Sequence, residues 1–446
     1  MRRKKIESVG DGSELSRREF LAGLAAATGA LALGGCGDGS EGGDPESDPL
    51  PEPSSSGIEH VVVLMMENRS YDHYLGWLPG GDGIQSGLEY VDRRGAIQST
   101  YHLPPEWQGC QYGDPDHSYD GGRVQYADGA CDGWLLADTD DLFPIGYYEA
   151  ADLSFLGGAV PAWTTCDRYF CSILSSTYPN RFYQHAAATD RLTNTLTASE
   201  LPAIWDRLAA KGLSGRYYYS DLPVTALFGA RFLDISKPYS EFLADAAAGR
   251  LANVSFVDPR FIGEGQGTSN DDHPFADIRN GQVLIDQVYR AITSSPAWEN
   301  TVLFVNYDEW GGFYDHVSPP LMPPSALDVQ IGNDGRLGFR VPLLVVSPLA
   351  RRGFVGHLPY DHTSILNLIE WRWGLDPLTE RDATANNLAR VLDFKRGKDL
   401  SAPQFAVPQG PFSGPCVDAA TLAAARADLF GLAAVARRYG FAVPPR

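Results

Sequence analysis

The sequence carries no internal repeat, no apolar run long enough for a stable membrane-spanning helix, and no surplus of basic charge. With 36 Lys and Arg against 56 Asp and Glu, the formal net charge is −20. That excess excludes a general nucleic-acid binder, which needs a basic face to meet phosphate. It also speaks against broad adhesion to anionic membranes, so a lipid ligand would have to be zwitterionic or gripped by a pocket. Cysteine is sparse: Cys36, Cys110, Cys131, Cys166, Cys171 and Cys416 show none of the paired spacings of a zinc site. One or two disulfides are expected outside the cytoplasm, with Cys110–Cys131 as the first pairing to consider.

What is present describes an exported, folding chain. Its 446 residues, 43% hydrophobic, suffice for one large α/β domain or two ordinary ones. A basic start is followed by Ser16-Arg17-Arg18-Glu19-Phe20-Leu21 and an Ala/Gly/Leu-rich run to Leu33, the pattern of a twin-arginine export signal over residues 1–35. The run closes on Leu33-Gly34-Gly35-Cys36, similar to a lipoprotein cleavage box, so the mature chain is expected to begin at a lipidated Cys36, tethered to a membrane in the periplasm or at the cell surface. Residues 36–57, rich in Gly, Ser, Pro, Asp and Glu, read as a flexible tether. The catalytic domain is expected over 58–446.

Within it, short β-branched runs at His60–Met66, Asn253–Val257, Thr301–Val305 and Val341–Val346 read as buried parallel strands. Helical patterns at Ser199–Lys211, Gly281–Ser294 and Thr363–Trp373 alternate with them, which argues an α/β sheet. Residues 77–160, dense in Gly, Asp, Tyr and Pro, read as long excursions over the active face. The Ala-rich stretch Asp418–Tyr439 is expected to be a C-terminal helical segment without chemistry.

In open α/β sheets ligands sit beyond the carboxyl ends of strands, which directs attention to the polar residues following two of these runs. Glu67 and Asn68 follow the first, and Asp308 and Glu309 follow Thr301–Tyr307. Three carboxylates brought to one edge repel each other, and a divalent cation is the usual relief. A single carboxylate at a strand end is more often a helix cap; the set reverses that balance. Thr177 lies in Ser175-Ser176-Thr177-Tyr178-Pro179-Asn180-Arg181, where Pro179 suits the first turn of a helix. A hydroxyl there stands beside backbone N–H groups that favour phosphate, although Thr177 or Ser176 could equally be a plain cap. A threonine hydroxyl needs a metal or a base to become a nucleophile.

These stretches carry a family resemblance. Glu67-Asn68-Arg69-Ser70-Tyr71-Asp72-His73-Tyr74-Leu75-Gly76, Thr177-x-Pro179-Asn180-Arg181, Asp272-His273-Pro274, Tyr307-Asp308-Glu309-x-Gly311-Gly312-Phe313-Tyr314-Asp315-His316-Val317 and Asp361-His362-Thr363-Ser364-Ile365-Leu366 occur in order between about 58 and 375. They resemble the signature blocks of the bacterial phospholipase C and acid phosphatase (phosphoesterase) family, of the alkaline-phosphatase-like superfamily. The resemblance implies a three-layer α/β sandwich with a mostly parallel central sheet and long active-site loops. It implies a hydrolase of phosphate esters, phospholipid head groups among them, working through a phosphothreonine at Thr177. One or more divalent metals would be held by Glu67, Asn68, Thr177, Asp308 and Glu309. His117 and His273 would hydrogen-bond phosphoryl oxygens or protonate the leaving alkoxide. His316 is a further pocket candidate, and it and His362 could instead orient their loops.

Two departures bear on substrate. Larger phospholipase C members carry extra β domains that this chain does not extend to, which aligns it with the shorter acid-phosphatase-like members. A histidine pair that some members carry before Asp-His-Pro has no counterpart, since no His lies between His185 and His273. Two alternatives stand beside the phosphoesterase. One is a sulfatase or phosphonate hydrolase on the same scaffold, for which no Cys/Ser-x-Pro-x-Arg block is evident. The other is a surface-binding lipoprotein with a dead site, which would have no need of a nucleophile and every metal ligand.

Overall fold

The computed structural model describes residues 45–137, 141–417 and 426–444. The export signal and the lipid box fall outside these residues.

The strand His60–Met66, buried from Val61 onward, lies in an eight-stranded sheet. On one side it pairs in parallel with Thr301–Tyr307, and on the other with Val254–Asp258. Beyond the latter come Gly215–Tyr219 and Ser236–Pro238, both parallel. Runs of Val, Ile and Leu without alternation suit such strands, which are buried on both faces. The expected parallel strand at Val341–Val346 is a correction: the observed strand, Leu343–Val346, runs antiparallel to Thr301–Tyr307 and to Thr164–Cys166. A parallel return needs a crossover that carries the chain to the far edge of the sheet. Between Tyr307 and Leu343 there is only the short helix Ala326–Ile331, so the chain re-enters from the edge it left.

The expected helices appear as Ile204–Ala210, Ile278–Thr293 and His362–Trp373. In the last, Asp361 caps the start by accepting from Thr363 N, and Gly374 ends it with φ +60°, a left-handed conformation that glycine adopts without strain. The C-terminal segment contributes Ala427–Arg438, with 418–425 outside the described residues.

Residues 45–57 differ from the expected tether. They form two short 3-10 turns, Pro45–Ser47 and Pro53–Ser55, docked on the domain. Glu46 is buried, accepting from His357 N (2.7 Å) and from the Tyr360 hydroxyl (2.7 Å). Composition suggests a solvated chain because nothing apolar asks to be buried; one carboxylate with waiting donors supplies the anchor instead. The disulfide is also corrected. Cys110 bonds Cys416, while Cys131, Cys166 and Cys171 are buried free thiols. Cys416 is carried to Cys110 because its N–H donates to Gly265 O (2.8 Å), laying the 410–417 segment along the loop that holds Glu264.

Candidate active site

Strand register brings together the first candidate ligands. Met66 pairs with Tyr307, so Glu67 and Asp308 leave the sheet side by side. Asn68 then turns with φ +58°, and its N–H donates to Asp308 Oδ1 (3.2 Å), which also accepts from Glu309 N (2.8 Å). All four side chains are buried. The following Gly311 and Gly312, at φ +65° and +74°, let the loop press against its neighbours. A Cβ on Gly311 would stand 2.3 Å from Asn68 O, and one on Gly312 2.6 Å from Pro115 Cβ.

Thr177 opens the helix Thr177–Ala186, buried at 2% exposure. The preceding turn is pinned by Asn180, whose Oδ1 accepts from Ile173 N (3.0 Å) and whose amide donates to Ser175 O (2.7 Å). Arg181, one turn after Thr177 and so on the same helix face, reaches three strand ends. Its Nε donates to Asp308 (3.1 Å), Nη1 to Asp258 (2.9 Å) and Nη2 to Glu67 (3.4 Å). Thr177 therefore shares a helix face with the residue that holds the carboxylates.

His117 joins the group from the long loop region. Its Nε2 lies 3.5 Å from the Asn68 amide nitrogen and 3.7 Å from Glu309 Oε1. Burial by itself would lower its pKa, but Glu309 and Asp114 outweigh that and push it up to about 9. His273 packs edge-on to it, ring centres 5.6 Å apart, with Nδ1 3.3 Å from Glu264 Oε2. Burial, then Arg426, lowers His273 to about 4. The two imidazoles are therefore shifted in opposite directions. His316 belongs to a separate network: Nδ1 meets Asp72 (2.6 Å), Nε2 meets Asp82 (3.3 Å), and Arg340 ties Asp72 to Asp315. It links the loops that follow the two strands, and with Asp72 and Asp315 it forms a group whose ligand atoms lie within 4.8 Å of one another. His362 Nε2 likewise contacts Tyr307 O (3.0 Å).

Several residues of the site escape sequence reasoning. Asp258 ends a strand, the same signal that picks out Asp308, yet no motif marks it. Glu264 and Asp271 join Glu67 in a buried cluster whose ligand oxygens lie within 4.8 Å of one another, and Asp114, His117 and His273 form a second such group. Arg426, immediately before the C-terminal helix, donates to Glu67 Oε2 (3.4 Å) and is bonded to Glu264. The segment expected to carry no chemistry thus reaches the acidic cluster through Arg426.

The charge balance is one-sided. Glu67, Asp258, Glu264, Asp271, Asp308 and Glu309, all buried, face two guanidinium groups, Arg181 and Arg426. Burial foremost, and neighbouring carboxylates next, push Glu309 and Asp271 well up. Asp308 rises to about 7, driven by burial and Glu67 against the pull of Arg181. Asn68 Oδ1 and Glu309 Oε1 are buried with no hydrogen-bond donor. Unrelieved carboxylates and donor-less oxygens at one edge are the ligand chemistry of a divalent cation, so the residues present fit one.

Comparisons with known proteins give the family. The phosphoesterase family model matches residues 58–376. This chain belongs to the phosphoesterase family. It is 33% identical to phospholipase C B of Mycobacterium tuberculosis, covering 89% of each chain. It is 31% identical to non-specific phospholipase C1 of Arabidopsis thaliana, covering 78% of this chain and 73% of that protein. A solved protein in the alkaline phosphatase superfamily from Vibrio parahaemolyticus aligns over 86% of this chain and 89% of that one, at 10% identity and a TM-score of 0.36. The family expected from the ordered blocks is borne out, as is the α/β class with its mostly parallel sheet. The protein is a hydrolase of phosphate esters, phospholipase C-like in its relatives.

Proposed function

We propose that this protein is a metal-dependent phospholipase C-type esterase with Thr177 as nucleophile. What carries the reading is the concentration of six buried carboxylates against two arginines at the strand ends, beside a helix that begins with a hydroxyl. Glu67, Asn68, Asp308, Glu309 and the Thr177 hydroxyl would hold the divalent ion. When bound, that ion would neutralise developing negative charge and lower the pKa of a coordinated hydroxyl.

The protein's own groups do the rest. Thr177 attacks phosphorus and the leaving alkoxide departs, giving a phosphothreonine that water then hydrolyses. His117, beside Glu309 and Asp114, is placed to donate a proton to that alkoxide. His273, kept neutral by burial, is free to hydrogen-bond a phosphoryl oxygen. Arg181 holds Glu67 and Asp308 in fixed geometry, so that no reorganisation is needed as charge moves. Relatives named phospholipase C that match most of their own length support the phosphodiester side over a phosphomonoesterase. The Ser16–Leu21 string and Cys36 support twin-arginine export and a lipid anchor at the membrane.

The deciding assay measures hydrolysis of p-nitrophenyl phosphate, p-nitrophenyl phosphorylcholine and a sulfate ester, each with and without chelator. We expect the phosphorylcholine ester to be cleaved and chelation to abolish turnover. Thr177→Ala should lower kcat by roughly a thousandfold or more with the fold intact. Wild-type rates in Thr177→Ala would remove the nucleophile, and cleavage of the sulfate ester alone would point to the sulfatase alternative.

A further inference from the structure

The helix Ala427–Arg438 places Arg426 at the acidic cluster and turns another side to a trough of about 910 Å³. Ile262, Phe430, Gly431, Ala433 and Ala434 line the trough, with Arg260 and Arg437 also contributing. A smaller cavity of about 220 Å³ shares Ile262 and Phe430 with it and reaches Glu264 and Arg426. The two cavities adjoin at Ile262 and Phe430, and the smaller one is lined by Arg426 and Glu264, which contact Glu67 and His273.

Asp221, Ser220 and Arg437 along the trough are already engaged, while the exposed Arg260 guanidinium is left to solvent at its rim. Asp221 accepts from the backbone N–H of Leu222, Phe261 and Ile262. Ser220 Oγ donates to Asp258 O (3.1 Å), and Arg437 Nη2 donates to Pro444 O (2.7 Å). A polar occupant such as a peptide would leave its own backbone groups unmatched there. A hydrocarbon chain would not, and the volume is in the range of small-molecule sites, roughly 300–1,000 Å³. We propose that this trough holds an acyl chain of a lipid phosphate ester whose phosphate lies among Glu67, Thr177, Asp308 and Glu309. The inference rests on the phosphoesterase reading for the position of the phosphate, and on the trough alone for the chain.

The test uses the full protein and two probes. The first is hydrolysis of dihexanoyl- and dioctanoyl-phosphatidylcholine, both kept below their micelle concentrations. The second is binding of cis-parinaric acid, read by fluorescence. In the wild type the longer ester should have the higher kcat/KM, by up to about fourfold for each methylene buried. Ala434 is exposed, so a larger side chain there fills the trough without entering the core. Ala434→Trp should lower the dioctanoyl-to-dihexanoyl ratio by roughly tenfold and weaken parinaric acid binding, since several methylenes lose their place. Ala434→Asp should act in the same direction by putting a charge in the trough, and circular dichroism melts report whether each variant folds. A ratio near one in the wild type, or ratios and parinaric binding unchanged in both variants, overturns the trough. Parinaric binding that both variants lose, in a protein that cleaves no phosphate ester, supports the acyl site and overturns the Thr177 chemistry instead.

Discussion

Two regions supply the acidic centre, and they reach it by different means. The strand-end rim, Glu67 to Asn68 and Asp308 to Glu309, is assembled by sheet register: once Met66 pairs with Tyr307, the next residues are neighbours. The C-terminal cover, residues 416–417 and 426–438 among the described residues, has no strand pairing there. It is held by the bond to Cys110, by Cys416 N–H on Gly265 O, and by Arg426 on Glu67 and Glu264. The rim's geometry follows from backbone hydrogen bonds that form regardless of side chain. The cover's geometry depends on side-chain contacts between distant segments, the buried Leu429, Leu432 and Ala436 among them, so it should be the part that side-chain changes loosen.

The largest expected effect lies on the rim. Arg181→Ala would leave Asp258, Glu67 and Asp308 without their shared cation, and losing one partner of a buried ion pair costs about 3–5 kcal/mol. Chemical denaturation should show a fall of that order in metal-free protein, with part of it restored by a divalent ion; a midpoint unchanged from wild type would mean the carboxylates do not depend on Arg181. Next comes Arg426→Ala, which removes the cover's hold on Glu67 and Glu264. Steady-state kinetics should show a loss of about 10–100-fold in activity or metal affinity, with Arg426→Lys recovering part of it.

A third measurement separates cover from rim. The double replacement Cys110→Ser with Cys416→Ser releases a loop spanning 306 positions, and disulfides stabilise by about 2–4 kcal/mol. Hydrogen exchange should rise around Gly265 and Ala427–Arg438 while Val61–Met66 stays protected. Equal loosening of both would mean that cover and rim are held in the same way.

The smallest effect uses a buried acid remote from either region. Glu370, beside Asp382, is pushed up to about 10, chiefly by burial and then by that neighbour. Its proton is bound more tightly folded than unfolded. Its contribution is therefore complete below the ordinary value of 4.5 and is lost as pH rises towards about 10. Glu370→Gln should remove that decline, adding roughly 1–3 kcal/mol at pH 9 and little at pH 4. Thermal melts across this range check it, and parallel pH profiles for wild type and variant would show that Glu370 carries no charge strain.

Legibility along the chain tracks how local each determinant is. The strands His60–Met66 and Thr301–Tyr307 are readable from unbroken apolar runs, and their carboxylate-bearing ends from position alone. His117 and His273 are recognisable only through matching blocks, and their opposite pKa shifts come from Glu309 and Asp114 outweighing burial on one side and from burial, then Arg426, on the other. The direction of Leu343–Val346 is not readable, because periodicity reports burial and is the same for a strand run either way. The roles of Glu46, Cys416 and Arg426 are hidden for one reason: each is decided by a partner hundreds of positions away.

By itself, then, the sequence determined the family, the α/β class, the nucleophile candidate and the rim of metal-type ligands. These rest on contiguous motifs and on the geometry of a sheet, in which residues just past the strand ends gather at one edge. Tertiary structure alone decided which cations answer the carboxylates, which cysteine closes the C-terminal segment onto the loop of Glu264, and where an apolar trough opens beside the site. Those depend on burial, and burial is a property of how distant segments meet, not of any one of them.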